Sequence, residues 1–251
     1  MYPEAITFGA ISINGFGVMV ALAFLAGHLI TAAELKRKGA PPGAAQDMML
    51  WIVICSIAGA KIFFLVENFT ISEIIANPSD TFFSRNGLTF YGGFLGGLAA
   101  GIFSAKRNGI KIPLALDAAA PALAIAYGIG RVGCLLVGDD YGVASSLPWA
   151  MAFPNGQPPV DFTVHPTQIY ETLLMLAVFA VLWRLRKKPA PDGWMFALYL
   201  VLAGTERFFI EFLRTTTQSP IPGLSIAQLV ALALITWGVL WLFRFKRLRN
   251  S

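Results

Sequence analysis

Long apolar runs alternate with short polar segments along most of this sequence. The runs fall at approximately 11–33, 48–68, 88–105, 115–137, 167–186, 193–213 and 226–246. A helix of about 20 apolar residues crosses a bilayer core of roughly 30 Å. The pattern therefore predicts an all-α polytopic membrane protein with about seven transmembrane helices. We expect residues 1–251 to form a single transmembrane domain.

Basic residues occur in every second loop, and this pattern indicates an orientation. Cytoplasmic loops retain Lys and Arg, so we expect the N-terminus outside and the C-terminus in the cytoplasm. The net charge of +5 then favours contact with anionic lipid over nucleic-acid binding. Fourteen of the 19 basic residues define these loops: Lys36, Arg37, Lys38, Lys106, Arg107, Lys111, Arg184, Arg186, Lys187, Lys188, Arg244, Lys246, Arg247 and Arg249.

Composition supports the same class of protein. Hydrophobic residues make up 56% of the chain and charged residues 13%, whereas soluble domains carry about 25% charged residues. The mean hydropathy is +0.65. Cys55 and Cys134 both lie in apolar runs, so a disulfide framework is not indicated. We expect neither a metal nor a cofactor.

Four further basic residues lie within or at the ends of apolar runs. They are Lys61, Arg131, Arg207 and Arg214. In the expected orientation all four fall in the outer half of the membrane. Intramembrane charges are rare and mark functional sites by default, so we interpret the four as one site. Snorkelling at a helix end would suffice for Arg214 taken alone.

Arg207, Glu211 and Arg214 are spaced i, i+4 and i+7, which would place them on one stripe of a helix. Glu211 could pair with either arginine, and the arrangement is also compatible with a salt bridge that only stabilises the helix. A surplus of positive charge favours an external anion, and the arginine fork matches phosphate. The stripe therefore predicts a site for a phospholipid head group.

The fifth helix is predicted to begin near Pro166, directly after His165. Proline suits a first helical turn, and the unpaired N–H groups there favour an anion. Gln168 and Glu171 lie about one turn apart on the same face. His165 is interpreted either as a site residue or as a simple cap. We expect the preceding outer-face loop, residues 138–165, to contribute to the site.

Glycines indicate where large groups or other backbones approach. Gly130 and Gly133 lie close to Arg131 and would clear room for a guanidinium bound to a phosphoglycerol. Gly92 and Gly93 open the third helix, where small residues also serve as helix-packing devices. We include all four glycines among the candidate substrate-binding residues.

Taken together, these motifs resemble those of the bacterial prolipoprotein diacylglyceryl transferases. Residues 130–142 are similar to the family pattern G-R-x-G-N-x-x-x-G-E-x-x-G, 165–171 to H-P-[ST]-Q-L-Y-E, and 207–214 to R-x-x-x-E-x-x-R. Weaker similarity occurs at 86–93 and 224–228. The motifs follow one another at fitting spacing over most of the chain, and the seven-crossing layout agrees.

The resemblance implies an enzyme of the bacterial inner membrane, multi-pass, with its active site toward the periplasmic leaflet. Such an enzyme transfers a diacylglyceryl group from phosphatidylglycerol to the lipobox cysteine thiol of a preprolipoprotein. A thioether forms and glycerol phosphate is released. The implied partners are phosphatidylglycerol, the preprolipoprotein signal peptide and membrane lipid, without nucleic acid.

The resemblance also implies roles for individual residues. Arg131 and Arg207 would bind the phosphate, and Glu211 would orient Arg207. Arg214 would gather the head group or shape the entrance. Asp139, which stands where the family usually has Glu, would hold a basic partner or the glycerol hydroxyls.

Other positions support or depart from the family pattern. His165 and Gln168 would support the outer wall. Tyr91 replaces a histidine proposed as a base, and tyrosine is a poor base unless a cation lowers its pKa of about 10. Glu206 is unusual for the family and could compensate as a nearby carboxylate. The remaining departures are Lys61 for arginine, Cys134 for asparagine, and Phe16 and Ala203 for tyrosine.

Two alternatives to this transferase stay open from the sequence. One is a non-catalytic phospholipid-binding or carrier protein that uses the same arginines. The other is a paralogous lipid transferase with an altered donor or acceptor. A secondary transporter is less well supported, because such proteins tend to show paired repeats and midplane charges.

Overall fold

The computed structural model describes residues 4–8, 11–76, 87, 89–214 and 223–250. The described part of the protein is mostly helical. A short 3₁₀ helix, Glu211–Leu213, directly follows the α-helix Trp194–Ile210. The α-helices among the described residues are α1 (Gly15–Arg37), α2 (Ala44–Asn68), α3 (Ile71–Ala76), α4 (Phe90–Arg107), α5 (Ile112–Val137), α6 (Thr167–Leu185), α7 (Trp194–Ile210) and α8 (Ile226–Asn250).

Five of the described helices are long and apolar enough to cross a membrane: α1, α2, α5, α6 and residues Ile226–Lys246 of α8. The predicted class, an all-α polytopic membrane protein, is therefore confirmed. The predicted third and sixth crossings correspond to α4 and α7, which have 18 and 17 residues. Seven crossings and the N-outside orientation stay predictions.

The chain begins with a strand pair that the sequence analysis did not predict. Strands β1 (Glu4–Phe8) and β2 (Ile11–Asn14) pair antiparallel. Helix α1 therefore starts at Gly15, whereas the predicted apolar run starts at residue 11. The sequence Ile11-Ser12-Ile13-Asn14 alternates apolar and polar residues, which is the period of a strand. Because β2 is rich in apolar residues, the apolar run at 11–33 includes both this strand and the helix that follows it.

The contacts divide the chain into two compact units, residues 1–31 with 116–251 and residues 32–115. In the second unit, α2 and α4 approach closely through glycines. A methyl group added to Gly59, Gly92 or Gly96 would collide with the backbone of the facing helix. These glycines therefore serve close helix packing, as small residues commonly do in membranes. That the whole chain acts as one transmembrane domain stays a prediction.

The first unit contains α5, which carries Arg131, and α7, which carries Arg207. Its core joins alanines of α5, such as Ala120 and Ala124, to Met175 and Leu182 of α6 and Met195 of α7. The small alanine side chains let the larger side chains of the neighbouring helices fill the space between them.

A buried carboxylate fixes the start of α7 relative to α5. Asp117 of α5 accepts hydrogen bonds from the backbone N–H groups of Gly193 and Phe196, each at 2.9 Å. The first N–H groups of a helix have no partner within it, so this side chain satisfies them from a neighbouring helix. Residues farther along α7 thereby take a defined position beside α5.

Residues 138–165 connect α5 to α6 and contain the other two strands. Strand β3 (Met151–Phe153) pairs antiparallel with β4 (Val160–Val164). Phe153, Val160 and Val164 form a small buried cluster there. The segment is thus a folded element with its own core.

Candidate active site

A tight turn after α5 brings a carboxylate over the end of that helix. Gly138 has φ 77°, and the N–H of Gly138 donates to the carbonyl of Cys134 at 2.8 Å. Asp140 follows with φ 57°, in the left-handed region that few residues other than glycine adopt. The two left-handed residues reverse the chain, and the Asp140 side chain meets Arg131.

Arg131 is held on three sides. Its Nε and Nη2 atoms donate to the hydroxyl of Tyr127 at 3.1 and 2.9 Å. Its Nη1 donates to Oδ2 of Asp140 at 2.7 Å, and its Nε also contacts Oε2 of Glu171. Tyr127 lies one turn earlier on α5, so the helix itself supplies part of the support for the guanidinium.

Glu171 of α6 is the common partner of three arginines. It is fully buried and contacts Arg131 through Oε2. Its Oε1 lies 3.3 Å from Nη1 of Arg207 and 3.5 Å from Nη1 of Arg214. A buried carboxylate is stable only with such partners, and here three cations surround it.

Glu211 closes the other side of this cluster. Its Oε2 lies 2.8 Å from Nη2 of Arg207 and 4.0 Å from Nε of Arg214, and Oε1 accepts a hydrogen bond from Ser225 at 2.8 Å. The same Ser225 hydroxyl accepts the N–H of Gln228, whose side chain accepts the N–H of Ser225. The start of α8 therefore positions Glu211; its role in orienting Arg207 stays a prediction.

The predicted helical stripe is only partly correct. The α-helix ends at Ile210, and Arg214 follows the 3₁₀ turn in an extended conformation with φ −105° and ψ 151°. Arg214 forms an isolated bridge with Gly142. Its approach to Glu211 therefore arises from a turn in the chain, since the regular helix has already ended.

The predicted surplus of positive charge is wrong for the described residues. We call Arg131, Arg207, Arg214 and their partners Asp140, Glu171 and Glu211 the arginine site. Three cations face three carboxylates there. The missing partners come from the 138–165 segment and from α6, and a local helix pattern does not reveal them.

The 138–165 segment is fastened to the arginine site through its backbone. The N–H of Gly142 donates to the His165 carbonyl and the N–H of Val143 to the Leu213 carbonyl, each at 2.8 Å. Thr167 donates to the carbonyl of Asp140 at 2.8 Å. The segment supplies Asp140 to the arginine site; that it contributes to a functional site stays a prediction.

Gln168 and His165 have distinct surroundings. Gln168 is fully buried, and its side-chain amide donates to the carbonyl of Asp139. Nδ1 of His165 lies 3.4 Å from the hydroxyl of Tyr170, which accepts the indole N–H of Trp149 at 2.7 Å. Gln168 thus braces the turn beside Arg131, and a direct contact of either residue with substrate stays a prediction.

Two adjacent carboxyls in the turn have opposite pKa shifts. Burial raises the pKa of Asp139 above its ordinary value, although the hydrogen bond from Cys134 opposes that shift. Burial acts in the same direction on Asp140, but Arg214 and Arg131 outweigh it and hold the pKa of Asp140 below its ordinary value. Asp140 is therefore the charged partner of the arginines, and Asp139 is the carboxyl that more readily keeps a proton.

The candidate glycines differ in what surrounds them. A Cβ at Gly130 would meet no atom within 4 Å, which fits open space beside Arg131. A Cβ at Gly133 would lie 3.0 Å from the Phe16 ring, so this glycine serves packing on α1. Gly142, which the sequence analysis did not single out, lies against the Leu213 carbonyl.

Four candidate residues belong to the second unit. Tyr91 of α4 is 69% exposed, and Gly92 packs against the backbone of α2. Gly93 lies near the Ser56 carbonyl; Lys61 places its Nζ 5.2 Å from the centroid of the Phe64 ring. Their participation in the site stays a prediction.

Cys134, Asp139 and Asp140 offer ligand atoms that lie within 4.8 Å of one another. Both carboxylate oxygens of Asp140 already bind arginines, and Sγ of Cys134 lies 3.7 Å from Nη1 of Arg131. The nearby guanidinium charge disfavours a cation at this point. The arrangement suits ion pairing better than metal binding.

Comparison with known proteins gives a consistent result. The family model described as prolipoprotein diacylglyceryl transferase matches residues 3–244. A relative from Clostridium tetani is 32% identical over 253 residues, covering 100% of both chains. Relatives from Synechococcus elongatus (30%; 98% of this chain, 89% of the relative) and Nitratidesulfovibrio vulgaris strain DP4 (31%; 96% and 93%) carry the same name, phosphatidylglycerol–prolipoprotein diacylglyceryl transferase. The chain therefore belongs to the prolipoprotein diacylglyceryl transferase family of enzymes.

Proposed function

We propose that this protein transfers a diacylglyceryl group from phosphatidylglycerol to the lipobox cysteine thiol of a preprolipoprotein. The observation that carries the proposal is the arginine site, in which three arginines from two separate parts of the sequence converge on one buried carboxylate. Relatives that match over most or all of their length carry the name of this activity. The family assignment and the site chemistry thus point to one reaction.

Phosphate binding is the first task of the arginines. Arg207 has the most exposed side chain of the three, at 28%, against 12% for Arg131 and 11% for Arg214. We infer that Arg207 meets the incoming phosphodiester and that Arg131 completes the contact. A phosphate would replace carboxylate oxygens as the acceptor, because the arginine fork suits either anion. Glu211 and Glu171 keep the guanidinium groups aimed at this position.

The chemical step needs stabilisation of a departing phosphate. The acceptor thiolate attacks the glyceryl carbon that carries the phosphodiester oxygen, so a C–S bond forms as a C–O bond breaks. The electron pair of the broken bond goes to the phosphate oxygen, and glycerol phosphate leaves. Preorganised arginines lower the barrier because they stabilise the charge that develops there.

The proposed setting is the bacterial inner membrane, with the site toward the periplasmic leaflet. The basic loops would face the cytoplasm, in accordance with the distribution of Lys and Arg. The donor is then a membrane lipid, and the acceptor is the signal peptide of a preprolipoprotein that crosses the same membrane. Binding of nucleic acid has no part in this proposal.

Complementation tests the function directly. The intact chain is expressed in a bacterial strain depleted of its own transferase, and a model lipoprotein is examined by mass spectrometry. We expect growth and a diacylglyceryl thioether on the lipobox cysteine. Well-expressed protein that binds phosphatidylglycerol and yields no thioether would indicate a lipid-binding protein or carrier and would contradict the proposal.

A further inference from the structure

Glu206 is a buried carboxylate that the ion pairs of the arginine site do not use. The residue is 8% exposed, and its Oε1 is buried without a hydrogen-bond partner among the described residues. Asp140, Glu171 and Glu211, by contrast, each contact two or three arginines. A buried acceptor without a donor is costly in free energy, so a chain that keeps one beside its site requires a reason for it.

Glu206 lies next to the support of Arg131. Tyr199 and Ala203, two turns and one turn earlier on α7, pack against the same core cluster as Tyr127 of α5. Glu206 interacts electrostatically with Tyr199 and with Tyr127, whose hydroxyl binds Arg131. The carboxyl is therefore close enough to Tyr127 and Arg131 to interact with both groups.

Charged groups interact with Glu206, and apolar helix packing occurs two residues earlier, at Gly204. Beside the neighbouring Gly204, α8 packs through Ala231 and Ile235. Sequence continuity places Arg207 directly after Glu206. The titratable and charged groups that interact with Glu206 are Tyr127 and Arg131 of α5, Glu171 of α6, Tyr199 and Arg207 of α7, and Arg214.

We propose that Glu206 accepts the proton of the acceptor thiol during the transfer, an inference that rests on the proposed function. The carboxylates that bind arginines are committed to those contacts. Glu206 offers an oxygen that none of the described groups uses. It directly precedes Arg207 in the chain and interacts electrostatically with Arg131, and these are the two residues assigned to the phosphate. A thiol that reaches the glyceryl carbon next to that phosphate comes within the same small region.

The proposed proton transfer needs no reagent other than the two substrates and Glu206. The proton moves from the thiol sulfur to a carboxylate oxygen of Glu206, and the resulting thiolate forms the C–S bond. The C–O bond breaks, and its electron pair stays on the phosphate oxygen. The departing glycerol phosphate then takes the proton from Glu206, which restores the carboxylate for the next turnover.

Glu206→Gln is the main test, because it keeps the size and polarity of the side chain and removes the proton acceptor. The full-length protein in detergent micelles is assayed with phosphatidylglycerol and a lipobox peptide. We expect kcat to fall about 100-fold or more, as for loss of a general base, while KM for phosphatidylglycerol stays within about twofold. Glu67→Gln, at an exposed carboxylate of α2, is the matched control and should behave as the wild type.

The pH profile separates this role from a structural one. Without the carboxylate, kcat should follow the ionisation of the peptide thiol, whose ordinary pKa is about 8.5, and rise about tenfold per pH unit below it. The wild type should show a weaker dependence in that range. An unchanged kcat and profile in Glu206→Gln would overturn the proposal, and so would a raised KM alone, which would mark a head-group contact.

Two further results separate the role of Glu206 from a folding defect and from failure of the proposed function. If Glu206→Gln does not fold, Glu206→Asp decides: a lower rate with the wild-type pH profile supports the role, and an unchanged rate overturns it. A wild-type protein that forms no thioether contradicts the proposed function itself. Wild-type activity together with an unaffected Glu206→Gln variant removes only the role of Glu206.

Discussion

Arg214 and Asp140 stand 74 positions apart in the sequence, and Nη2 of Arg214 lies 2.6 Å from Oδ1 of Asp140. The other carboxylate oxygen accepts a hydrogen bond from Arg131 at 2.7 Å. One side chain in a reversed turn thus connects the end of α5 to the segment that follows α7. The geometry of the arginine site depends on this connection.

Asp140→Asn should weaken that connection. The amide offers one acceptor oxygen and no charge, so it cannot bind both guanidinium groups as Asp140 does. Because the Asp140 side chain is 44% exposed, we expect a stability loss of only about 1 kcal/mol, but a fall in transfer of about tenfold or more. Thioether formation and thermal unfolding measure the two effects. Asp161→Asn, at an exposed position of β4, is the control, and equal activity in the two variants would contradict the assigned role.

The opposite pKa shifts of Asp139 and Asp140 predict that their contributions to folding stability change in opposite directions with pH. The pKa of Asp140 is lowered, so its contribution is present above the ordinary aspartate pKa and is lost as pH falls through the lowered value. The pKa of Asp139 is raised, so its contribution is present below the ordinary pKa and is lost as pH rises through the raised value.

Thermal unfolding between about pH 3 and pH 7 tests these signs. We expect Asp139→Asn to gain stability relative to the wild type as pH rises, and Asp140→Asn to lose it. The difference between each variant and the wild type is the relevant quantity, since other groups titrate in both. Differences of the same sign for the two variants would contradict the assignment of the charged and the protonated carboxyl.

Replacement of the arginines that we propose to bind the phosphate should abolish transfer and leave membrane insertion intact. Arg131→Ala and Arg207→Ala remove the donors assigned to the phosphate. Arg131→Lys should also be inactive, because one ammonium cannot reach Tyr127, Asp140 and a phosphate together. Lys111→Ala serves as a control at an exposed basic position, and activity retained in both alanine variants would remove the argument for a phosphate clamp.

Gly142→Ala should disturb the attachment of the 138–165 segment. Its new Cβ would lie 2.8 Å from Cβ of His165 and 2.9 Å from Cγ2 of Thr167, and it would also meet the Leu213 carbonyl. We expect a loss of about 1–3 kcal/mol in unfolding free energy and reduced activity. Gly130→Ala, where a Cβ meets no atom within 4 Å, should keep wild-type stability; equal melting temperatures for the two variants would show that the segment adapts.

The parts of the fold and site that the sequence predicted are those with local causes. Apolar runs reveal helices because burial in a bilayer requires them, and the Arg207–Glu211 pair follows from a spacing of four residues. The contacts of Glu171 with Arg207 and Arg214 span 36 and 43 positions and depend on how α6 meets α7. A periodic pattern in the sequence does not show which side chains of α6 and α7 come into contact.

The same distinction explains the errors. The apolar run at 11–33 predicts one helix where β2 precedes α1, because both elements are apolar. The local helix pattern omits Asp140 and Glu171, because these partners lie in a turn and on another helix. The run at 193–213 extends three residues beyond the observed end of α7, since Glu211–Leu213 continues the helix in a tighter form. In each case the missing information concerns backbone geometry or partners distant in the sequence.

The pairing of the three arginines with three carboxylates has a consequence for turnover. Asp140, Glu171 and Glu211 already bind the donors that a phosphate would need. We therefore expect the bound phosphate to compete with these carboxylates, because both kinds of anion suit the arginine fork. Re-formation of the ion pairs would then favour release of glycerol phosphate at the end of each turnover.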